Sequence, residues 1–160
     1  MTDIALALAI HVVAVVLWIG GVGVVATVIM PEIRHSRPPE ERFAALHAME
    51  RRFAPQARIA TVLAGASGLY MVWRLNAWRW FDSPDTWWMP AMVLIWLIFA
   101  LLLFVIEPWF LGRWLARRAM HDPAATFLWA QRLHHVLFGL SLLTIAGAVA
   151  GVQGVNLFRW

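Results

Sequence analysis

The 160-residue chain is 62% hydrophobic and only 14% charged, with a mean hydropathy of +0.70, far more apolar than a soluble domain of one-domain length. It has no cysteine, which excludes disulfides, thiolate metal sites and thiol catalysis. Every basic side chain is an arginine, and the net charge of +4 reads as membrane topology and lipid-headgroup contact, with no nucleic-acid partner expected.

In chain order, a first apolar span runs from about Ile4 to Met30 and is expected to stop at Pro31-Glu32. That is enough to cross a hydrocarbon core of roughly 30 Å. Asp3 and the absence of an early cation argue against a cleaved signal peptide. Within this span His11 precedes Trp18 by close to two helical turns, so both face one neighbour. The pair Gly20-Gly21 offers a close-approach surface for a second helix. An ionisable ring inside an apolar span is a functional-site candidate, set against the plain alternative of a neutral histidine bonded to a neighbouring helix.

The polar stretch Glu32 to about Arg52 carries Pro38-Pro39-Glu40-Glu41, a helix start. Phe43, Leu46, His47 and Glu50 then recur at helical spacing, which predicts a short interfacial helix ending in a kink or break at Pro55. The second span covers about Ala57 to Trp73, with Ala64, Gly65, Ser67 and Gly68 forming a small-residue face and Arg58 near its start. The loop Arg74 to Thr86 and its flanks bring Trp78, Trp80, Trp87 and Trp88, an aromatic belt at a water interface. The third span begins near Trp88 to Pro90 and reaches Ile106, closed by Glu107-Pro108-Trp109. A basic loop holds Arg113, Arg117 and Arg118, and His121-Asp122-Pro123 restarts the chain as a helix. The fourth span carries Arg132, His134 and His135 near its start and runs through Gly139, Ser141, Gly147 and Gly151 to a tail ending at Arg159-Trp160.

The reading is therefore an all-α integral membrane protein: one domain over residues 1–160, a four-transmembrane-helix bundle in the lipid bilayer, with a short interfacial helix before the second span. The two connections on one side hold Arg34, Arg37, Arg42, Arg51, Arg52, Arg58, Arg113, Arg117, Arg118 and Arg132. The other side holds Arg74, Arg79 and Arg159. By the positive-inside rule both termini lie on the outer side, in a multi-pass protein of the bacterial inner membrane. His11 then sits roughly 10 Å below the outer surface, and His134 and His135 a similar distance from the cytoplasmic face. His35 and His121 read as solvated loop residues, while His47 occupies the membrane-facing stripe of its helix.

Imidazoles at membrane depth suit haem iron, and helix bundles build cofactor sites from facing side chains. Gly65, Gly68 and Gly139 leave room for a flat ring. Arg51, Arg52, Arg58 and Arg132 can receive its propionates. Without cysteine a covalent CxxCH haem is excluded, so the expected cofactor is haem b. The expected ligands are His11 with His134 or His135, Gly139 favouring His135, and His47 is held in reserve. Glu107 is either the partner of a neighbouring arginine or a proton relay to a redox site.

Residues His11 to Gly21, Pro31, Met49-Glu50-Arg51-Arg52-Phe53 and Ala64-Gly65-Ala66-Ser67-Gly68-Leu69-Tyr70 resemble the first half of two groups of small four-helix membrane proteins. These are the HemJ-type protoporphyrinogen oxidases and the copper-resistance-D-like family. The resemblance implies the four-helix fold and haem at a first-span histidine, which His11 matches, or copper handling in the inner membrane. The second half departs from the HemJ pattern: there is no lysine, the third span opens Trp87-Trp88-Met89-Pro90-Ala91-Met92, and the fourth carries Leu133-His134-His135-Val136 where the family has an acidic Asn-Glu-x-Pro motif.

Three functional readings follow. The leading one is a haem b membrane oxidoreductase working in electron transfer, with quinone or quinol as a partner. The second is a copper transporter or copper-binding protein, with His11, Met71, Met89 and Met92 as an outer-side entry for soft Cu(I). The third is a non-catalytic membrane subunit. A homodimer through Gly147-x-x-x-Gly151 is expected from that small-residue motif.

Overall fold

The computed structural model describes residues 1–154, including side chains except at 108–113, 115 and 116. The side chain of Arg113, the closing Pro108-Trp109 pair and the Arg159-Trp160 tail thus lie outside the described residues. The described residues are helical throughout, joined by short turns: α1 (Thr2–Val24), a π-helical turn (Val25–Ile29), α2 (Met30–Ser36), α3 (Pro39–Arg74), two 3-10 turns (Ala77–Phe81 and Pro84–Thr86), α4 (Trp88–Leu101), a π-helical stretch (Leu102–Leu111), α5 (Gly112–His121) and α6 (Pro123–Val152). Three helical stretches are long and apolar enough to cross a bilayer: Thr2–Ser36, Trp88–Glu107 and Pro123–Val152, with mean hydropathies of 2.6, 2.9 and 1.9. This is a membrane protein by that measure. The C-terminal half of α3, which carries Arg58 and Arg74, falls outside this set.

Two proline positions behave differently from the sequence expectation. The first span does not stop at Pro31. The backbone N–H of Met30 reaches the carbonyl of Val25, a π-type bond just before the proline, and the helix continues to Ser36. The extra residue in that turn lets a ring that cannot donate sit inside a continuous rod. Nor does the chain break at Pro55. The expected interfacial helix and second span are one 36-residue helix with Pro55 inside it, roughly 54 Å long at 1.5 Å per residue. Pro55 faces outward and costs the helix the bond to one carbonyl, while the turns on either side are held by packing on α1 and α2. Its start at Pro39, with Glu40 and Glu41 in the first turn, follows the sequence signal.

The helix ends obey local chemistry. Asn76 takes the left-handed conformation just after α3, with φ of 50°, which suits its short polar side chain. Asp122 caps α6 by accepting a 2.9 Å bond from the backbone N–H of Ala125, with Pro123 in the first turn.

The most extensive pairing is between α1 and α3, which run antiparallel. Arg74 at the end of α3 donates to Asp3 at the start of α1 (Nη2 2.6 Å, Nε 2.9 Å), and the Tyr70 hydroxyl donates to the same carboxylate at 3.1 Å. Small residues let the helices close up: Ala14, Ala60 and Ala64 are buried with Trp18, Ile19, Ile95, Phe99 and Leu137 in one core. Trp18 meets Phe99 edge-on at 5.0 Å. A second core, nearer Ser36, gathers Val25, Met30, Ile33, Leu46, Phe127 and Ala130.

Tight approaches fall at other glycines than expected. Gly20 and Gly21 have open space where a side chain would point, whereas Gly23 receives Phe138 of α6 and Gly65 receives the indole of Trp96. That indole donates 2.8 Å to the carbonyl of Thr61. The Gly147-x-x-x-Gly151 face, expected to join two copies, is occupied within the chain: Gly147 takes Trp87 and Gly151 takes Trp88. Bulky belt residues that need a flat surface have claimed it.

Candidate functional site

His11 stands against α3 at the Asp3 end of the bundle, half-buried. Its Nδ1 lies 2.9 Å from the carbonyl of Ala64 and 3.1 Å from Oγ of Ser67. A carbonyl can only accept, so Nδ1 carries the proton, and Nε2 is left with its lone pair. Ser67 is held by its own donation to the carbonyl of Leu63. The Cε1 edge of the ring rests on Gly68, where an added Cβ would come within 3.2 Å. The small-residue face of α3 thus exists to admit this ring. A histidine with one nitrogen fixed by a backbone acceptor has the orientation that metal-ligating histidines need at the other.

The partner histidines lie elsewhere. Phe138 of α6 meets α1 at Gly23, about 18 Å of helix beyond His11, and His134 lies a further turn toward the second core. His134 donates from Nδ1 to the carbonyl of Ala130 at 2.9 Å, and its Nε2 is 3.4 Å from Oε1 of Glu50. His135 donates from Nδ1 to the carbonyl of Gln131 at 2.7 Å and faces the bundle exterior, as does Gly139, which has open space beside it. One cofactor bridging His11 to either residue of the α6 pair is therefore excluded by depth. His134 faces another helix and bonds there, through Glu50 of α3, as the preference for His135 as ligand expected.

A second polar group forms around His134. Arg58 approaches Glu107 at 3.6 Å and donates from Nε to the carbonyl of Leu103 at 3.2 Å. His47 stacks on Phe43 at 6.1 Å, nearly parallel. Glu107 thus has the arginine partner that the simpler sequence reading gave it. Arg51 and Arg52 are exposed on α3, Arg52 at the mouth of an outer groove between α1 and α3, and Arg132 is exposed on α6. The four arginines do not converge on one ligand. His35 and His121 are exposed as expected, although both sit on helices, and His35 is bonded to the carbonyl of Pro31.

Glu50 and Ser67 are the partners that spacing alone did not reveal, though Glu50 shares the helical stripe of His47. Among the described residues no three His, Asp or Glu side chains gather as a metal site. Trp18 Nε1, Thr61 Oγ1 and Trp88 Nε1 are buried there without a hydrogen-bond partner.

No family model, curated protein or solved structure matches the chain. Function must therefore be argued from the site itself.

Proposed function

We propose that the chain is a four-span haem b protein of the bacterial inner membrane acting in electron transfer, with His11 supplying the imidazole. The observation that carries this reading is the 2.9 Å approach of His11 Nδ1 to the carbonyl of Ala64, which fixes the proton there and leaves the Nε2 lone pair for a metal. Neutral imidazole binds iron without adding charge to the bilayer, so the metal bond offsets the cost of the polar ring. Bound haem would supply one-electron chemistry. The chain's own residues do the positioning: Ala64 and Ser67 fix the ring plane, Gly68 leaves space at its edge, and the Asp3–Tyr70–Arg74 clamp holds α1 in register with α3. His134, held by Glu50, belongs to a separate polar group. Quinol at the lipid interface is the proposed electron source.

The fourth span in this reading is the C-terminal half of α3. It lies alongside α1 from Asp3–Arg74 to the His11 contacts, so a bilayer that covers α1 covers it too. Arginine excess at the Ser36 end puts both termini outside.

Purified protein should show a visible haem spectrum with stoichiometric iron, and His11→Ala should remove or shift it while His35→Ala and His121→Ala leave it unchanged. A colourless, folded protein, or a spectrum indifferent to His11→Ala, would refute the assignment. Copper is the second reading, favoured by placement: Met71 lies one turn beyond Ser67 on α3, and Met92 one turn before Trp96, whose indole packs on Gly65. Thioethers therefore stand near the depth of His11, as Cu(I) would require. Stoichiometric copper in a colourless preparation would select it.

A further inference from the structure

Away from His11, a groove of about 620 Å³ opens on the bundle exterior between α2 and α6, lined by Arg34, Leu128, Gln131, Arg132, His135 and Val136. Its chemistry is divided. Two guanidiniums, an amide and an imidazole line it, with aliphatic side chains beside them. Neither Arg34 nor Arg132 has a carboxylate within ion-pair distance among the described residues, whereas Arg37, Arg58 and Arg74 each have one. His135 spends Nδ1 on Gln131 and keeps Nε2 open.

Depth identifies what should meet these cations. The exposed tryptophans Trp78 and Trp80 and the Asp3–Arg74 clamp mark one membrane interface. Arg34 lies about 46 Å of helix beyond Asp3, past a hydrocarbon core of roughly 30 Å and at the opposite headgroup layer. Arg132 lies about 30 Å of helix from the other end of α6, at the boundary of that core. Deeper along the same face come Val136, Leu140 and Leu143, all exposed apolar side chains that an acyl chain can cover.

We propose that this groove binds one anionic glycerophospholipid, its phosphate bridging Arg34 and Arg132, Gln131 and His135 donating or accepting at the headgroup, and an acyl chain running along Val136 toward Leu140. Two guanidiniums from separate helices hold the two non-bridging oxygens of a phosphodiester anion better than one, and a basic pocket at the cytoplasmic ends of spans is the expected address for such a lipid. The lipid then ties α2 to α6 at the end of the bundle opposite the Asp3 clamp. This assignment is independent of the haem reading.

Native mass spectrometry of the detergent-purified full chain tests it, with added phosphatidylglycerol, phosphatidylcholine or inorganic phosphate as probes. One phosphatidylglycerol should be retained in preference to phosphatidylcholine. The Arg34→Ala/Arg132→Ala variant should weaken that retention about thirtyfold, as expected for two cations acting together at a membrane surface. Arg79→Ala, at the other interface, should not. Should the double variant fail to fold, the wild-type protein still decides: lipid retention must fall as salt is raised toward 1 M, where screening is short-ranged. Equal retention of the two lipids, indifference to both arginines or to salt, or saturation by inorganic phosphate alone would each overturn the proposal. So would loss of a chromophore, with lipid retention unchanged, on removing the two arginines, since that would make the groove part of a haem site.

Discussion

At the scale of single residues, most buried polar side chains find a partner locally or across one helix pair, Trp18, Thr61 and Trp88 excepted. Ser141 and Thr144 donate one turn back to Leu137 and Leu140, and His134 and His135 do the same through Nδ1, which is how a bilayer-embedded helix satisfies its polar groups. His11 differs from these two histidines, because its acceptor for Nδ1 lies on another helix. Ser67→Ala should therefore loosen the ring without removing Ala64, shifting the spectrum of a bound cofactor less than His11→Ala does. Gly68→Ala should act more strongly, since its methyl would press on Cε1. Absorption spectra of the three variants rank them. Glu107→Gln leaves Arg58 without its partner carboxylate and should lower thermal stability, by at most about 3 kcal/mol, the cost of an intramembrane charge. Replacing both by Arg58→Met and Glu107→Leu should recover much of the loss, and melting curves of the single and double variants measure it.

At the scale of helices, composition and periodicity were enough to find three apolar spans, the Pro39 start and the Asp122 restart. They were not enough to find where helices touch. Gly20-Gly21 and Gly23 look alike in sequence, yet only Gly23 meets a neighbour, because contact depends on the rotation of α1 against α6. The Gly147-x-x-x-Gly151 motif was legible as a packing face, but its occupant, the Trp87-Trp88 pair, comes from distant sequence. The candidate site was legible in part: His11 and the α3 glycines were readable from burial cost and residue size, while the depth separating His11 from His134 required the register of three helices. Two substitutions expose the difference. Gly65→Val should cost about 1–3 kcal/mol by driving into Trp96, whereas Gly20→Ala, in open space, should stabilise by up to about 1 kcal/mol through helix propensity. Leucines at Gly147 and Gly151 should displace Trp87 and Trp88 and unfold that end, so a lowered melting temperature, with no clean change in oligomeric mass, is the expected result.

For the whole molecule, two ends differ in chemistry. One carries Asp3, Tyr70, Arg74 and the tryptophans; the other carries most of the arginines together with the Glu50–His134 and Arg58–Glu107 pairs. The proposed topology predicts that reporter fusions after Arg37 and after Trp160 lie on opposite sides of the membrane, with the first cytoplasmic. A cytoplasmic carboxyl terminus would reverse the orientation.

The π-helical turn at Val25–Ile29 acts as a gear between α1 and α2. Each residue of an α-helix advances the side-chain direction by about 100°, so the one surplus residue in that turn resets every position after it relative to His11 and Trp18. With that offset in place, Arg34 lines the same groove as Arg132. Excising Thr27 should let the turn relax to ordinary helical pitch, keep the span long enough to cross, and leave Arg34 at the groove, because the surplus residue and the offset that absorbs it are lost together. Such a deletion variant should still insert and keep its retention of phosphatidylglycerol, unlike the Arg34→Ala/Arg132→Ala variant. A π turn in this span is thus a phase setting, legible only as a single extra letter in an apolar run.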